Sequence, residues 1–308
     1  MPGDRDVGDP EDDPASDAPV ADKAISPGLV LVSTPIGNLG DISARAAAAL
    51  RQAGLVLCED TRTTATLLRH VGSTARMAPL HEHNEDQRTP DILARLRGGA
   101  VIVLVSDAGT PLVSDPGYRL VRAVIADGLP VTAIPGPVAA VDALVLSGLP
   151  PLPFLAQGFP PPRSAARLAA FGRLRAAETA GLSATLIWHE APHRLADTLA
   201  DMAEAFGDRP AAVARELTKR FEEVRRDTLP ALAAYYALHP ARGEITVVVG
   251  PPAAEDTDAA DLDAQLRAAM AGNSLKDAAA LVAGATGMPR KTVYARALAL
   301  ARDSNEGG

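Results

Sequence analysis

A single cysteine, Cys58, stands among the 308 residues, which excludes an internal disulfide and any cysteine-rich zinc site. No apolar stretch reaches the ~18 residues that a membrane-spanning helix needs; the longest, from Pro137 to Leu146, is interrupted by Asp142. The opening MPGDRDVGDPEDDPASD holds none of the apolar run of a secretory signal, so a cytoplasmic chain with no membrane partner is expected. Neither G-x-G-x-x-G nor G-x-x-x-x-G-K-[ST] occurs, which argues against a nucleotide cradled by its phosphates. There is no G-x-S-x-G elbow either, and hydrolytic serine chemistry is disfavoured.

What is present is an apolar chain with one strongly acidic end. Hydrophobic residues make up 47%, too many for a mainly disordered protein. The formal charge is −8, yet Asp4, Asp6, Asp9, Glu11, Asp12, Asp13, Asp17 and Asp22 face only Arg5 and Lys23 before residue 24. The rest is nearly neutral, and local patches rather than the total set the field that a partner meets.

Residues 1–26 read as a disordered acidic tail. From Gly28, short apolar runs of strand length (Gly28–Val32, Leu55–Cys58, Val101–Val105, Val131–Ile134) alternate with helical stretches (Ser43–Ala53, Asp86–Arg97, Pro116–Asp127, Ala139–Leu146). That alternation predicts a parallel sheet covered on both faces, hence an α/β domain over 27–148. The proline-dense Leu149–Phe154 marks a linker. A second α/β domain over 149–252 is expected from strands Ala184–Trp188, Ala211–Ala214 and Glu244–Val249 and helices His193–Phe206 and Leu229–Leu238. After the polar connector Pro251–Asp261, helices at Leu262–Ala271, Ser274–Ala285 and Pro289–Ala301 make a helical segment over 257–308, with Gly287-Met288-Pro289 resembling a helix-turn-helix connection. Ser274 suits a cap and Pro289 a first turn.

Four loops gather Gly and Pro beside small polar residues: Ser33–Asn38, Ser106–Pro111, Pro135–Pro137 and Gln157–Pro160. Glycine lets the backbone approach a ligand and proline fixes loop shape. In a parallel sheet the strand C-termini face one crevice, where ligands bind. One such loop is an ordinary tight turn; three from one sheet, with Asp107 just after a strand, predict a ligand held by backbone groups and carboxylates. His81 and His83 form an H-x-H pair with no further ligand in sight, so no metal is expected. Cys58, inside an apolar strand, reads as an inert core thiol.

In order along the chain stand Ser33-Thr-Pro-Ile-Gly-Asn-Leu-Gly-Asp-Ile42, Cys58-Glu-Asp-Thr-Arg62, Val105-Ser-Asp-Ala-Gly-Thr-Pro-Leu-Val-Ser-Asp-Pro-Gly-Tyr118, Pro135-Gly-Pro137, Ala214-Arg-Glu-Leu-Thr-Lys219 and Gly243-Glu-Ile-Thr246. Together they closely resemble the ribosomal RNA small subunit methyltransferase I family of the tetrapyrrole-methylase-like, class III methyltransferases. The resemblance implies two α/β domains with S-adenosylmethionine in the cleft between them, a homodimer, and 2′-O-methylation of a decoding-centre cytidine of 16S rRNA within the small ribosomal subunit. Carried over, the cofactor shell comprises Pro35, Gly37, Asp107, Ala108, Gly109, Thr110, Pro137, Val138, Ala139, Gly158, Glu216, Leu217 and Thr246. The chain departs from the family at Trp188-His189, where an aromatic pair is usual, and after Phe159, where Pro160–Ser164 and Arg167 replace several lysines.

Methyl transfer from a sulfonium is an in-line displacement, so positioning is most of the task, and a ribose hydroxyl benefits from a nearby base. Glu59, Asp60 and Glu216 are the candidate bases, with Lys219 an alternative that stabilises the developing alkoxide. The competing reading pairs Glu59 and Asp60 with Arg62, and Glu216 with Arg215 or Arg220. Arg62, Arg163, Arg167, Lys276, Arg290 and Lys291 are the candidate RNA contacts, because phosphate binding wants clustered cations; a capping or dimerising bundle is the alternative for the tail. Two other functions compete: a tetrapyrrole methyltransferase, which needs no basic tail, and a ligand-sensing nucleic-acid-binding regulator, which leaves the loop motifs without purpose.

Overall fold

The computed structural model describes residues 24–252, 259–286 and 288–306; the acidic segment before residue 24, most of the connector after Pro252, and Gly287 lie outside the described residues. The chain divides into two compact units, one running to Ala143 and including Arg215–Glu223, the other formed by Leu144–Ala214 and the residues from Val224 onward.

In the first unit, β1 (Gly28–Val32), β2 (Leu55–Cys58), β3 (Met77–Pro79), β4 (Val101–Val105) and β5 (Val131–Ile134) form one sheet in the order β3-β2-β4-β1-β5. Every pairing is parallel: Leu29 stands between Ile102 and Val131, and Val56 between Met77 and Val103. Helices α1 (Ala44–Gln52), α2 (Thr61–His70), α3 (Glu85–Arg97), α4 (Tyr118–Ala126) and α5 (Ala139–Ser147) follow the strands; α5 crosses the division between the units. Successive strand residues point to opposite faces, so Val30, Val32, Val56, Val103 and Val105 join one core with Ala46, Leu50 and Leu67. Leu29, Leu57, Ile102 and Leu104 join a second with Ile92, Leu120 and Val124. Burial on both faces explains why these strands read as unbroken apolar runs.

The second unit has β6 (Phe154–Ala156), α6 (Ser164–Thr179), β7 (Thr185–Glu190), α7 (Leu195–Phe206), β8 (Pro210–Arg215), β9 (Glu223–Thr228), α8 (Leu229–Leu238) and β10 (Ile245–Val249). Its sheet, β6-β7-β10-β8-β9, is mixed: β6 runs parallel to β7, and β10 antiparallel to it, with Val247 opposite Trp188. Phe171, Trp188 and Phe206 pack edge-on and tilted at centroid distances of 5.4–5.9 Å, in the geometry aromatic quadrupoles favour. Arg209 and Glu178 are buried together, with bonds of 2.6 and 2.7 Å.

Five elements depart from the expectations. The sequence assigned no helix to 61–70 or 164–179 and no strand to 77–79, 223–228 or 154–156, where β6 begins at the end of the expected linker; Pro116 and Gly117 stay outside α4, whose N-cap is Gly117 at φ 119°. Helices α9 (Ala259–Met270), α10 (Leu275–Thr286) and α11 (Arg290–Glu306) enclose their own small core of Leu266, Ala279, Val282, Val293 and Ala297. Ser274 Oγ accepts from the Asp277 N–H, capping α10, and the Pro289 carbonyl opens the hydrogen-bond ladder of α11.

Candidate active site

The loops that leave the C-terminal ends of β1, β4 and β5 are tied to one another. Thr34 and Gly109 form a two-bond antiparallel bridge, at 2.8 and 3.1 Å. Ser33 Oγ and Thr110 Oγ1 share a bond of 2.8 Å, and Thr110 Oγ1 donates to the Pro137 carbonyl at 3.4 Å. Ser106 Oγ donates to the Gly109 carbonyl at 2.9 Å. Gly109 sits at φ 82°, a region where a side chain is strained. Small polar residues are thus the fasteners of this junction, which is why the three loops are rich in Ser, Thr and Gly.

The loop after β2 joins them through the Asp60 backbone N–H, which donates to Asp107 Oδ1 at 3.0 Å. Asp60 itself caps α2: its Oδ1 accepts from the Arg62 N–H at 2.8 Å and its Oδ2 from the Arg62 guanidinium at 2.7 Å. That guanidinium, followed by the Arg62 backbone N–H, holds the Asp60 carboxyl at about 2, too acidic to take a proton from a hydroxyl with any efficiency. The expectation of Asp60 as a general base is therefore corrected to a capping and positioning role. Glu59 is exposed beside it.

The segment Arg215–Glu223 brings Glu216, Leu217 and Lys219 into the same unit. Glu216 and Thr218 hold left-handed backbone, at φ 52° and 64°, and the Lys219 N–H closes the turn on the Glu216 carbonyl at 3.0 Å. Lys219 Nζ donates to Glu216 Oε1 at 2.8 Å, while Arg215 pairs with Glu223. Lys219 is thus a partner of Glu216 that the competing reading of the sequence did not name. The Lys219 stem lies against Gly37, where a Cβ would stand 2.4 Å from Lys219 Cγ.

One residue of this region escaped the sequence reading. Asp115 lies in the loop between Leu112 and Ser114, which are left-handed at φ 73° and 71°, and the start of α4. Burial first, then the nearby Glu59 and Asp107 carboxylates, push its carboxyl up to about 6. Its signal in the sequence was its place in the same continuous motif as Asp107.

Other predicted residues lie in the second unit. Gly158, at φ 68°, accepts the His189 N–H at 2.9 Å. Thr246 is buried with its Oγ1 3.2 Å from His189 Nδ1, and burial lowers the pKa of that imidazole. Arg163 is exposed, but Arg167 is not: only 3% accessible, it donates to Asp201 at 2.6 Å and faces the Pro161 and Pro162 carbonyls. This corrects its assignment as an RNA contact, since its charge is neutralised inside the unit. Lys276, Arg290 and Lys291 are exposed on α10 and α11, whereas Arg296 is given to Asp263 at 2.6 and 2.7 Å. Cys58 is fully buried and burial raises its thiol pKa, as an inert core thiol requires. Among the described residues, no three His, Cys, Asp or Glu side chains are gathered as a metal site.

The chemistry of this donor set suits a cationic, hydroxyl-bearing ligand: backbone carbonyls, hydroxyls and the Asp107 and Glu59 carboxylates line the loops, and Lys219 is neutralised by Glu216. Such loops on a five-stranded parallel sheet define a methylase of the tetrapyrrole type. The family model for Tetrapyrrole (Corrin/Porphyrin) Methylases matches residues 28–233, and that for the RsmI C-terminal HTH domain matches 256–301. A conserved hypothetical protein from Aeropyrum pernix K1 shares the fold at TM-score 0.57 and 17% identity, covering 91% of this chain and 98% of its own. Diphthine synthase does so at 0.54 and 16%, covering 72% and 90%.

More particularly, the chain is 46% identical to ribosomal RNA small subunit methyltransferase I of Mesorhizobium japonicum, over 92% of this chain and 96% of that one. It is 43% identical to the Pseudomonas aeruginosa protein of the same name, over 88% and 96%. The chain belongs to the ribosomal RNA small subunit methyltransferase I family, whose members are S-adenosylmethionine-dependent methyltransferases.

Proposed function

We propose that this enzyme transfers a methyl group to the ribose 2′-oxygen of a decoding-centre cytidine of 16S rRNA, acting on the small ribosomal subunit in the cytoplasm as a homodimer. The observation that carries the cofactor half of this reading is the fastening of the β1, β4 and β5 loops through Thr34, Gly109, Ser33, Thr110 and Pro137. A prearranged cradle of this kind removes the need to order the loops when the ligand arrives.

S-adenosylmethionine supplies an electrophilic methyl group on a sulfonium. The chain's own residues bind and aim. Pro35, Gly37, Asp107–Thr110 and Pro137–Ala139 hold the donor, with Glu216 and Leu217 of the same unit beside them. Asp107, oriented by the Asp60 N–H, takes the donor's hydroxyl or ammonium hydrogens. Glu59 accepts the proton of the attacking hydroxyl, and Lys219, held by Glu216, stabilises the developing negative oxygen.

The RNA half rests on the family name of the relatives and on the exposed Lys276, Arg290 and Lys291, with Arg62 and Arg163 as further phosphate contacts. A tetrapyrrole substrate would give those cations no task. The homodimer rests on α5, where Val141 and Val145, one turn apart, are 40% and 70% exposed.

The test is transfer of a labelled methyl group to unmodified small subunits, to naked 16S rRNA and to a tetrapyrrole, followed by nucleoside analysis. The reading predicts 2′-O-methylcytidine from intact subunits. Label on a base, or on the tetrapyrrole, would contradict it.

A further inference from the structure

Beneath α6, at the C-terminal end of β7, the second unit holds a cavity of about 150 Å³. Its floor is Phe171 and Trp188, both buried; its sides are Ala170 and the Pro160-Pro161 pair; its mouth carries Gln157, Phe159 and Arg173. The chemistry of that mouth is unusual for a surface. Phe159 is 57% exposed, its ring tilted against His189 at 5.7 Å, although burying an aromatic ring is among the larger apolar gains available to a fold. Arg173 is exposed, as is Arg163 at the start of the same helix, and among the described residues neither has an acidic partner.

We propose that this cavity is a nucleobase pocket, which takes an unstacked base of the RNA substrate close to the target nucleotide. The inference rests on the RNA substrate proposed above and adds to it a base-binding site in the second unit, lined by the neighbours of Gly158 and not by the β1, β4 and β5 loops. An exposed aromatic ring offers a stacking face, a primary amide and a guanidinium offer hydrogen bonds to a base edge, and unpaired arginines suit the flanking phosphates. This is the combination by which proteins hold single-stranded RNA bases.

Trp188 is the only tryptophan of the chain and lines the cavity, so its fluorescence reports occupancy directly. The experiment titrates the full-length enzyme with a cytidine hexaribonucleotide and, in parallel, measures methyl transfer to small subunits and calorimetric affinity for S-adenosylmethionine. Two variants are compared: Arg173→Gln removes the charge at the mouth, and Ala170→Leu fills the cavity from α6. Saturable quenching in the native enzyme, weakened about tenfold in both variants, with KM for subunits raised by a similar factor and cofactor affinity unchanged, is the expected result.

Quenching that is equal in all three proteins would overturn the proposal, as would its absence in the native enzyme. A raised KM without quenching by RNA would assign the cavity to a ribosomal protein and overturn it equally. Should the native enzyme fail to methylate subunits yet show the variant-sensitive quenching, the substrate reading falls and the base pocket stands. Thermal melts of both variants identify a misfolded protein, and Arg173→Gln, at an exposed position, keeps the test decisive if Ala170→Leu does not fold.

Discussion

Lys219 lies across the α-carbon of Gly37, so that an added Cβ would stand 2.4 Å from Lys219 Cγ and 2.7 Å from Cε. The first loop and the Arg215–Glu223 segment therefore share one piece of space, and only glycine leaves room for the lysine stem. Gly37→Ala is expected to displace Lys219 from Glu216 and lower turnover at least tenfold, with a stability change below about 1 kcal/mol because the site is exposed. Lys219→Ala removes the clash, so the double variant should match the Lys219→Ala single in thermal stability. A double-mutant cycle on melting temperature and turnover checks both statements.

The proposed proton acceptor separates from the donor-binding group by kinetics. Glu59→Gln keeps the shape of the side chain and removes its basicity; turnover should fall about 100-fold while S-adenosylmethionine affinity changes less than twofold. Single-turnover methyl transfer at saturating cofactor measures this, and an unchanged rate would remove Glu59 from the reaction.

The Asp115 carboxyl titrates near 6 in the fold against 3.8 unperturbed. Between those pH values the folded protein binds the extra proton, so stability falls as pH rises through that window and is level above it. Asp115→Asn should remove this slope and stabilise the protein at pH 7 by about 1 kcal/mol, less than the full linkage because the side chain is only half-buried. Chemical denaturation at pH 4.5 and pH 7 on both proteins gives the comparison.

In the second unit, Arg209 and Glu178 are 6% and 1% accessible and bonded twice. Glu178→Ala leaves the guanidinium buried without its carboxylate, a change that costs roughly 3–5 kcal/mol. A loss below about 1 kcal/mol in urea denaturation would show that the arginine escapes to solvent.

Lys276, Arg290 and Lys291 present their charges on α10 and α11. Replacing all three with Gln should weaken binding to small subunits and lower the slope of log affinity against log salt by about 0.7–0.9 for each lost phosphate contact. Cofactor affinity should stay the same. An unaltered slope would favour the capping role for these helices.

The contrast between what the sequence disclosed and what it concealed follows from the range of the forces involved. Strands β1, β2 and β4 announced themselves because burial on both faces forces continuous Val and Leu or Ile. The edge strand β9, Glu-Val-Arg-Arg-Asp-Thr, carries polar side chains and looked like a loop; β3 is three half-buried residues ending in Pro79. Helix α2 is rich in threonine, a mediocre helix former, and its start lay in the Asp60 cap rather than in periodicity. The joined loops were legible because each gathers Gly, Pro and small polar residues within a few positions, although the bonds that fasten them link residues far apart in the chain. Arg167 was misread because Asp201, 34 residues away, neutralises it, and Asp115 was passed over because its surroundings exist only once Glu59 and Asp107 have been brought near.

The account turns on the joined loops holding the methyl donor through Asp107, which already takes the Asp60 N–H at 3.0 Å. Calorimetric titration of the native enzyme and Asp107→Ala with S-adenosylmethionine tests this most directly. The expected result is a single site per chain in the native enzyme and a loss of at least 100-fold in affinity in the variant, with its thermal melt preserved. Equal affinity in the two proteins would contradict the placement of the donor at these loops.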